Sequence, residues 1–508
     1  MSLTNKKLTI NAISAIIQVS FTAVIFFFLY KYLLKNLGII QLGVWSLILS
    51  FSSIANLANF GITSGLVKFV AEYIGKKEEG KIGKLILTSF LSMAVLFSLL
   101  SLLILFGAQY FLHFVIDKQF LSVALSILPL SLGSLCINAV SGVFTSVLEG
   151  FQKNYLRNFI YVFSGIIMFI ATVLLTPVYH LQGVAIAQLI QAIFVLFVAL
   201  ILINRVSPFN SFAYWRWSNQ TFRELFNYGY KFQVISICQL LYEPTTKLLL
   251  SKFGGLALLG NYEMASRFVS QFRSLLVNAN QVVIPVVAEK RITQTKTHLQ
   301  EFYANMSRIL LLFTLPLSTL LILLAPFISF IWLGHVESNF VIFVYILTIS
   351  YIINIMSGPA YFSCMAEGRL NILIFSHVSI AIINLTFGYL LGANYGGYGI
   401  IIAWGLALIV GSIITIYSYE KRIEISMIQI FDKYDWQIVI SSNVLISFGI
   451  VLFSFNYFAM NEYLKALAII VIYTTIYFIV LRKNGLIKDV FTFLIKSEVS
   501  RNSKLKIN

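Results

Sequence analysis

The sequence has little charge, and acidic residues are the scarcest part of it. Only 11% of the 508 residues are charged, whereas soluble domains carry about 25%. Asp and Glu number 19 against 36 Lys and Arg, and hydrophobic residues make up 59% of the chain. So few polar side chains cannot cover a water-soluble core of this size. The composition therefore predicts a membrane protein, and the apolar runs are too long for the alternating strands of an outer-membrane barrel.

Cysteine is almost absent, and no pattern of catalytic or metal-binding residues is present. Cys136, Cys238 and Cys364 are isolated in apolar runs, so we expect them to be packing residues rather than a disulfide framework or a zinc site. Histidines are equally scattered, at His113, His180, His298, His335 and His377. No Gly-x4-Gly-Lys-Ser/Thr loop occurs, which excludes a P-loop ATPase in this chain. We expect no cofactor, no metal and no enzymatic activity.

Apolar runs of about 20 residues recur along the whole chain and predict about fourteen transmembrane helices. The first, residues 8–30, is too long for a signal-peptide core and is interpreted as a retained span. If the N-terminus is cytoplasmic, 28 Lys and Arg fall in cytoplasmic segments and six in outer connections. This bias places both termini in the cytoplasm and the protein in a bacterial cytoplasmic membrane. It also accounts for the net charge of +17 without a nucleic acid as partner.

An internal repeat divides the chain into two halves. A shift of 217 places residues 42–45 (Leu-Gly-Val-Trp) on 259–262 (Leu-Gly-Asn-Tyr), and a shift of 216 places 183–187 on 399–403. Six spans separate the matched positions, so the repeat is parallel. We predict two pseudo-symmetric six-helix lobes plus two C-terminal helices: residues 1–204, a cytoplasmic linker 205–223, residues 224–420, the two extra helices 421–484, and a basic cytoplasmic tail 485–508.

This layout resembles the multidrug/oligosaccharidyl-lipid/polysaccharide exporter superfamily, and in it the polysaccharide transporter branch of O-antigen and capsule-type flippases. The similar motifs are Gly61-x-x-x-Gly65 followed by residues 67–73, residues 148–154 (Leu-Glu-Gly-Phe-Gln-Lys-Asn), and residues 183–187. The resemblance implies two lobes in a V that carry an undecaprenyl-pyrophosphate-linked oligosaccharide to the outer leaflet by alternating access. The implied partners are this lipid-linked sugar, membrane lipids, a polysaccharide polymerase and chain-length proteins.

Two arginines in the eighth span are the main candidates for substrate binding. A charge in the bilayer costs about 3 kcal/mol or more and usually faces a cavity or a partner. A guanidinium matches phosphate oxygens, so we hypothesise that Arg267 and Arg273 bind the pyrophosphate. The residues predicted to line the same cavity are Asn278, Asn280, Asn56 and Asn59. In the alternative interpretation, Arg273 bonds a neighbouring helix or extends to the cytoplasmic interface.

The remaining intramembrane charges lie near the outer ends of spans 7 and 8. Glu243/Lys247 and Glu263/Arg267 are spaced as i,i+4 ion pairs, either within the cavity or as self-neutralised structural pairs. Pro244 predicts a hinge or gate in span 7, or else a static kink.

Other residues near the outer ends are assigned to the membrane interface. Lys31, Lys35 and Lys252 form a predicted outer basic rim, with extension to the lipid headgroups as the alternative. Four aromatic residues are assigned to an interfacial belt, with stacking on the sugar rings of the cargo as the alternative: Tyr30, Trp45, Tyr242 and Tyr262.

Three other functions stay open at this point. A drug/cation antiporter of the same superfamily would favour acidic residues deep in the first lobe, and spans 1–6 have none that is central. A lipid II flippase would carry a similar pattern of charge. A membrane-embedded polysaccharide polymerase would need larger loops or paired carboxylates. The sugar and any coupling to H⁺ or Na⁺ are not encoded in a recognisable pattern.

Overall fold

The structure is a computed structural model of the chain. It describes residues 3–54, 62–76, 78, 80–206, 216–240, 242–280, 296–367, 369–426, 430–455 and 462–484. These residues form helices and short connections, with no β-strand in the ranges given. The helices are α1 (Leu3–Ile54), α2 (Ile62–Gly75), α3 (Gly80–Leu112), α4 (Lys118–Gly150), α5 (Asn154–Val206), α6 (Asn219–Leu240), α7 (Glu243–Asn280), α8 (Lys296–Leu333), α9 (Ser338–Met356), α10 (Gly358–Ala366), α11 (Leu370–Ile423), α12 (Lys433–Phe455) and α13 (Glu462–Asn484).

Nine of the described helices are long and apolar enough to cross a membrane. Several are far longer than a bilayer requires: α5 has 53 residues and α11 has 54, whereas one span takes about 20. Each of these two helices leaves helical geometry at one internal residue and therefore contains two spans. The prediction of an all-α polytopic membrane protein is confirmed.

Chain reversals explain how two spans fit into one continuous helical segment. A side chain at Gly183 would come within 2.7 Å of the backbone of Leu175, and one at Gly399 within 2.2 Å of the carbonyl oxygen of Leu391. Residues eight apart in a straight helix are separated by about 12 Å. The chain therefore turns back between them, at His180 in α5 and at Gly396 in α11.

The internal repeat is visible in the backbone itself. Gly38 in α1 has φ/ψ of 79°/169°, and Gly255 in α7, 217 residues later, has 81°/168°. His180 has 48°/−130°, and Gly396, 216 residues later, has 61°/−146°. The offsets are those found in the sequence. Equivalent positions of the two halves thus make the same turns, although the boundaries of the two predicted lobes stay a prediction.

The chain groups into two compact units, each with its own apolar core. One unit comprises residues 1–264 and 380–404, and the other residues 265–379 and 405–508. In the first unit, α2, α3, α4 and α5 pack around Leu66, Ile86 and Phe144. In the second, α8, α9, α12 and α13 pack around residues such as Leu315 and Leu445. Apolar burial of this kind supports a rigid framework on which the polar sites lie.

We expect Gly399→Ala to destabilise the protein, because the new methyl group would overlap the Leu391 carbonyl and force the α11 turn open. Overpacking of this kind costs about 1–3 kcal/mol. Thermal melting of the detergent-solubilised protein, followed by size-exclusion chromatography, measures the effect. Gly107→Ala in α3 is the matched control, since nothing lies within 4 Å of its new methyl group. Equal melting of the two variants would contradict the close contact.

Candidate functional site

Arg273 lies in the second half of α7, which corresponds to the predicted eighth span but is not among the nine described helices that are long and apolar enough to cross a membrane. It follows the outer kink at Gly255 by 18 residues, which is roughly 27 Å along a helix at about 1.5 Å per residue. The hydrocarbon core is about 30 Å thick. Under the topology predicted from the sequence, this distance puts Arg273 towards the cytoplasmic end of the eighth span.

Arg273 is held by neutral groups of one neighbouring helix. Its Nε donates a hydrogen bond of 2.9 Å to Oδ1 of Asn354 on α9, and its guanidinium lies 5.4 Å from the ring centroid of Tyr351. Asn354 in turn donates to the hydroxyl of Ser412 on α11 at 3.1 Å. Among the described residues, Arg273 forms no ion pair, and its two terminal nitrogens form no hydrogen bond. The site therefore holds a fixed positive charge with donors to spare.

A small apolar cavity adjoins this guanidinium. Its volume is about 10 Å³, which is the space of a single water molecule. Its walls include Val269, Leu317, Leu321 and Ile355 beside Arg273. A phosphate group cannot fit inside it, so an anionic ligand of Arg273 has to approach from outside this cavity.

The other predicted substrate residues are only partly described. Arg267 is half-buried on α7, six residues before Arg273, which places the two about 120° apart around the helix and about 9 Å apart along it. They therefore do not share one helix face. Asn56 and Asn59 lie outside the described residues, as do the side chains of Asn278 and Asn280.

A second polar cluster surrounds Lys247 and Glu263 near the outer ends of the α7 spans. Nζ of Lys247 lies 2.8 Å from a carboxylate oxygen of Glu243 and 2.8 Å from one of Glu263. The side chains of Lys247 and Glu263 are 2% and 1% exposed, whereas that of Glu243 is 51% exposed. The predicted Glu243/Lys247 pair is thus present, and Lys247 also joins the two spans of α7.

Two hydroxyl groups also donate hydrogen bonds to Glu263. Tyr30 donates to Oε1 at 2.9 Å, and Ser46 donates to Oε2 at 2.6 Å. Sequence reasoning missed both contacts, although the 217 shift places Tyr30 on Lys247 and Ser46 on Glu263. The belt prediction was wrong for all four aromatic residues, because each is at most 9% exposed and packs inside the protein: Tyr30, Trp45, Tyr242 and Tyr262.

The interruption of span 7 is visible, whereas the outer basic rim stays a prediction. Helix α6 ends at Leu240 and α7 begins at Glu243, so Pro244 occupies the first turn, where its missing N–H is not needed. Motion at this break stays a prediction. Lys31, Lys35 and Lys252 are exposed, and Lys252 lies 5.3 Å from the ring centroid of Phe253. No group of metal-ligating residues occurs in the described ranges.

Comparison with known proteins adds a family to this geometry. The family model described as polysaccharide biosynthesis protein matches residues 41–336, more than half of the chain. The membrane protein EpsK of Bacillus subtilis (strain 168), described as uncharacterized, is 24% identical over 432 residues, which cover 82% of this chain and 84% of EpsK.

Solved structures show the same fold at low sequence identity. An inward-facing multidrug resistance transporter of the MATE family, in the MOP superfamily, has a TM-score of 0.72 at 13% identity, over 81% of this chain and 98% of its own. The lipid II flippase MurJ in an inward closed conformation has a TM-score of 0.67 at 16% identity, over 93% of this chain and 99% of its own. The chain therefore has the fold of these transporters and flippases. The chain belongs to the polysaccharide biosynthesis protein family and is a multi-pass protein of the bacterial cell membrane.

Proposed function

We propose that this protein is a flippase for lipid-linked oligosaccharides. It carries undecaprenyl-pyrophosphate-linked repeat units across the cytoplasmic membrane by alternating access, and these units build an O-antigen, a capsule or a similar surface polysaccharide. The observation that carries the proposal is Arg273, a guanidinium in the predicted eighth span that has spare donors and no ion pair among the described residues. The family match supports the class of cargo.

The geometry of Arg273 suits a pyrophosphate better than a neutral or cationic cargo. Asn354 binds Nε, and the two terminal nitrogens stay available to phosphate oxygens in the usual two-pronged arrangement. Its predicted depth near the inner leaflet is where the head group of a lipid-linked sugar lies before transport. A cationic drug would be repelled by the same charge, which argues against the antiporter function.

Arg267 supplies a second positive charge to the same proposal. Its position about 9 Å further along the helix towards the outer side, on a different face, suits successive rather than simultaneous contacts. In this mechanism the pyrophosphate first meets Arg273 and then passes to Arg267 as the cargo moves outward. Asn278, Asn280, Asn56 and Asn59 stay proposed contacts for the sugar or phosphate.

A lipid II flippase is the second candidate, because the solved lipid II flippase aligns over 93% of the chain and lipid II also carries a sugar on a prenyl pyrophosphate. Deletion of the gene distinguishes the two. We expect viable cells that lose a surface polysaccharide and accumulate its lipid-linked repeat unit in the inner leaflet, with plasmid-borne protein reversing both effects. Mass spectrometry of extracted lipids identifies the sugar. Accumulation of lipid II instead would assign the second function, and unchanged lipids with normal polysaccharide would contradict both.

A further inference from the structure

The outer ends of the two repeats meet backbone to backbone. A side chain at Gly43 would lie 2.0 Å from the carbonyl oxygen of Leu256, and one at Gly260 would lie 2.3 Å from the carbonyl oxygen of Ile39. The contact is reciprocal, because under the 217 shift Ile39 is equivalent to Leu256 and Gly43 is equivalent to Gly260. Only glycine permits this approach. The spans that follow the kinks at Gly38 and Gly255 therefore cross in direct contact.

The polar cluster lies on both sides of these kinks and is built from equivalent positions of the two repeats. Tyr30 and Lys247 precede the kinks, and Ser46 and Glu263 follow them. The second repeat contributes the ion pair of Lys247 and Glu263, and the first contributes the hydroxyl groups of Tyr30 and Ser46. Glu263 thus receives hydrogen bonds from one repeat and an ammonium group from the other. We call these eight residues the outer junction: Tyr30, Ile39, Gly43, Ser46, Lys247, Leu256, Gly260 and Glu263.

The chemistry of the outer junction favours a contact that can open. A purely apolar contact would gain more from burial than a buried ion pair does, because two charges lose their hydration on closing. The charges of Lys247 and Glu263 regain that hydration when the contact separates. The small glycine surfaces add close packing but little apolar area. Such a contact holds firmly only while every polar bond is formed.

We propose that the outer junction is a latch. It holds the outer ends of the two repeats together in the state of this structure and separates when cargo is released to the outside. The proposal rests on the alternating access proposed above and adds the residues that hold the outer side closed, whatever the cargo is. Loss of Glu263 breaks the bonds to both repeats at once and is expected to open the latch most effectively.

Cysteine accessibility tests the latch without any transport assay. Leu256 is 5% exposed, so Leu256→Cys, in a protein whose Cys136, Cys238 and Cys364 are replaced by Ala, should react slowly with a membrane-impermeant maleimide added outside the cell. Adding Glu263→Gln should accelerate labelling on the order of tenfold, the effect of losing one hydrogen bond to a charged group. Ser46→Ala should give a smaller increase in the same direction and preserves the ion pair if Glu263→Gln folds poorly.

Three controls make the result decisive. Gly107→Ala should leave labelling of Leu256→Cys unchanged, because its surroundings are open. Lys252→Cys, on the exposed outer rim, should label quickly in every background. Leu347→Cys, fully buried in α9, should stay protected. Equal labelling of Leu256→Cys with and without both junction substitutions would overturn the latch, and so would parallel labelling of Leu347→Cys, which would mean general unfolding.

Discussion

Arg273→Ala is expected to slow translocation of the lipid-linked oligosaccharide by about ten- to a hundredfold at matched membrane levels. A hydrogen bond to a charged group contributes about 1.5–3 kcal/mol, and each 1.4 kcal/mol corresponds to about a factor of ten. The rate is measured as surface polysaccharide restored per unit time after induction of the variant in the deletion strain. Arg273→Lys should be intermediate, because an ammonium keeps the charge but loses the fork and the bond to Asn354.

Asn354→Asp tests the charge of Arg273 while its side chain stays in place. The substituted carboxylate would stand 2.9 Å from Nε of Arg273 and neutralise the guanidinium with almost no change in volume. If the charge binds the pyrophosphate, this variant should be nearly as slow as Arg273→Ala. If Arg273 acts only as packing against Tyr351, Asn354→Asp should transport normally, since an ion pair would hold the guanidinium at least as well.

Ligand-induced stabilisation gives a readout that a structural role of Arg273 would not change. Farnesyl pyrophosphate should raise the melting temperature of the purified protein, and farnesol should not, because a ligand stabilises only the state that binds it. The increase should be lost in Arg273→Ala and kept in the control Arg205→Ala, which removes an exposed arginine from the end of α5. Translocation by Arg273→Ala at the wild-type rate would refute the role of this residue.

Hydropathy and the internal repeat were enough to predict the helical membrane fold, because both can be read from the order of residues and need no knowledge of tertiary contacts. Gly38 and Gly255, which the repeat makes equivalent, have nearly the same backbone angles. The gaps between apolar runs also located the turns within α5 and α11. The predicted spans 158–178 and 183–203 lie on either side of His180, and 371–392 and 398–418 lie on either side of Gly396.

The polar sites were harder to predict because their bonds join residues far apart in sequence. Tyr30 and Glu263 are 233 positions apart, and Arg273 and Asn354 are 81 apart. Aromatic residues near span ends usually lie at the interface, so Tyr30 was assigned there. The repeat contained the missing information: Tyr30 and Ser46 occupy the positions of Lys247 and Glu263, and equivalent positions of a two-fold related pair meet near its axis.

Lys247→Met is expected to lower the free energy of unfolding by about 3–5 kcal/mol, the usual cost of removing one member of a buried ion pair. Methionine fills a similar unbranched volume, so the loss reports charge rather than a cavity. The carboxylate of Glu263, 1% exposed, loses the ammonium 2.8 Å away. Unfolding in mixed micelles titrated with SDS, followed by circular dichroism, measures the change.

The double variant Lys247→Met/Glu263→Gln should recover part of this stability, because the glutamine removes the carboxylate charge. Its amide oxygen can accept a hydrogen bond from one of the hydroxyl groups of Tyr30 and Ser46, and its NH2 group can donate to the other. Lys252→Met is the control, since this lysine lies one turn further along the same helix and is exposed; its contact with Phe253 is worth only about 0.5–1 kcal/mol. Recovery in the double variant would show that the pair contributes through its charges. If Lys247→Met and Lys252→Met unfold at the same SDS content, the ion pair adds nothing to stability. The glycine crossing at Gly43 and Gly260 must then hold the spans together without it.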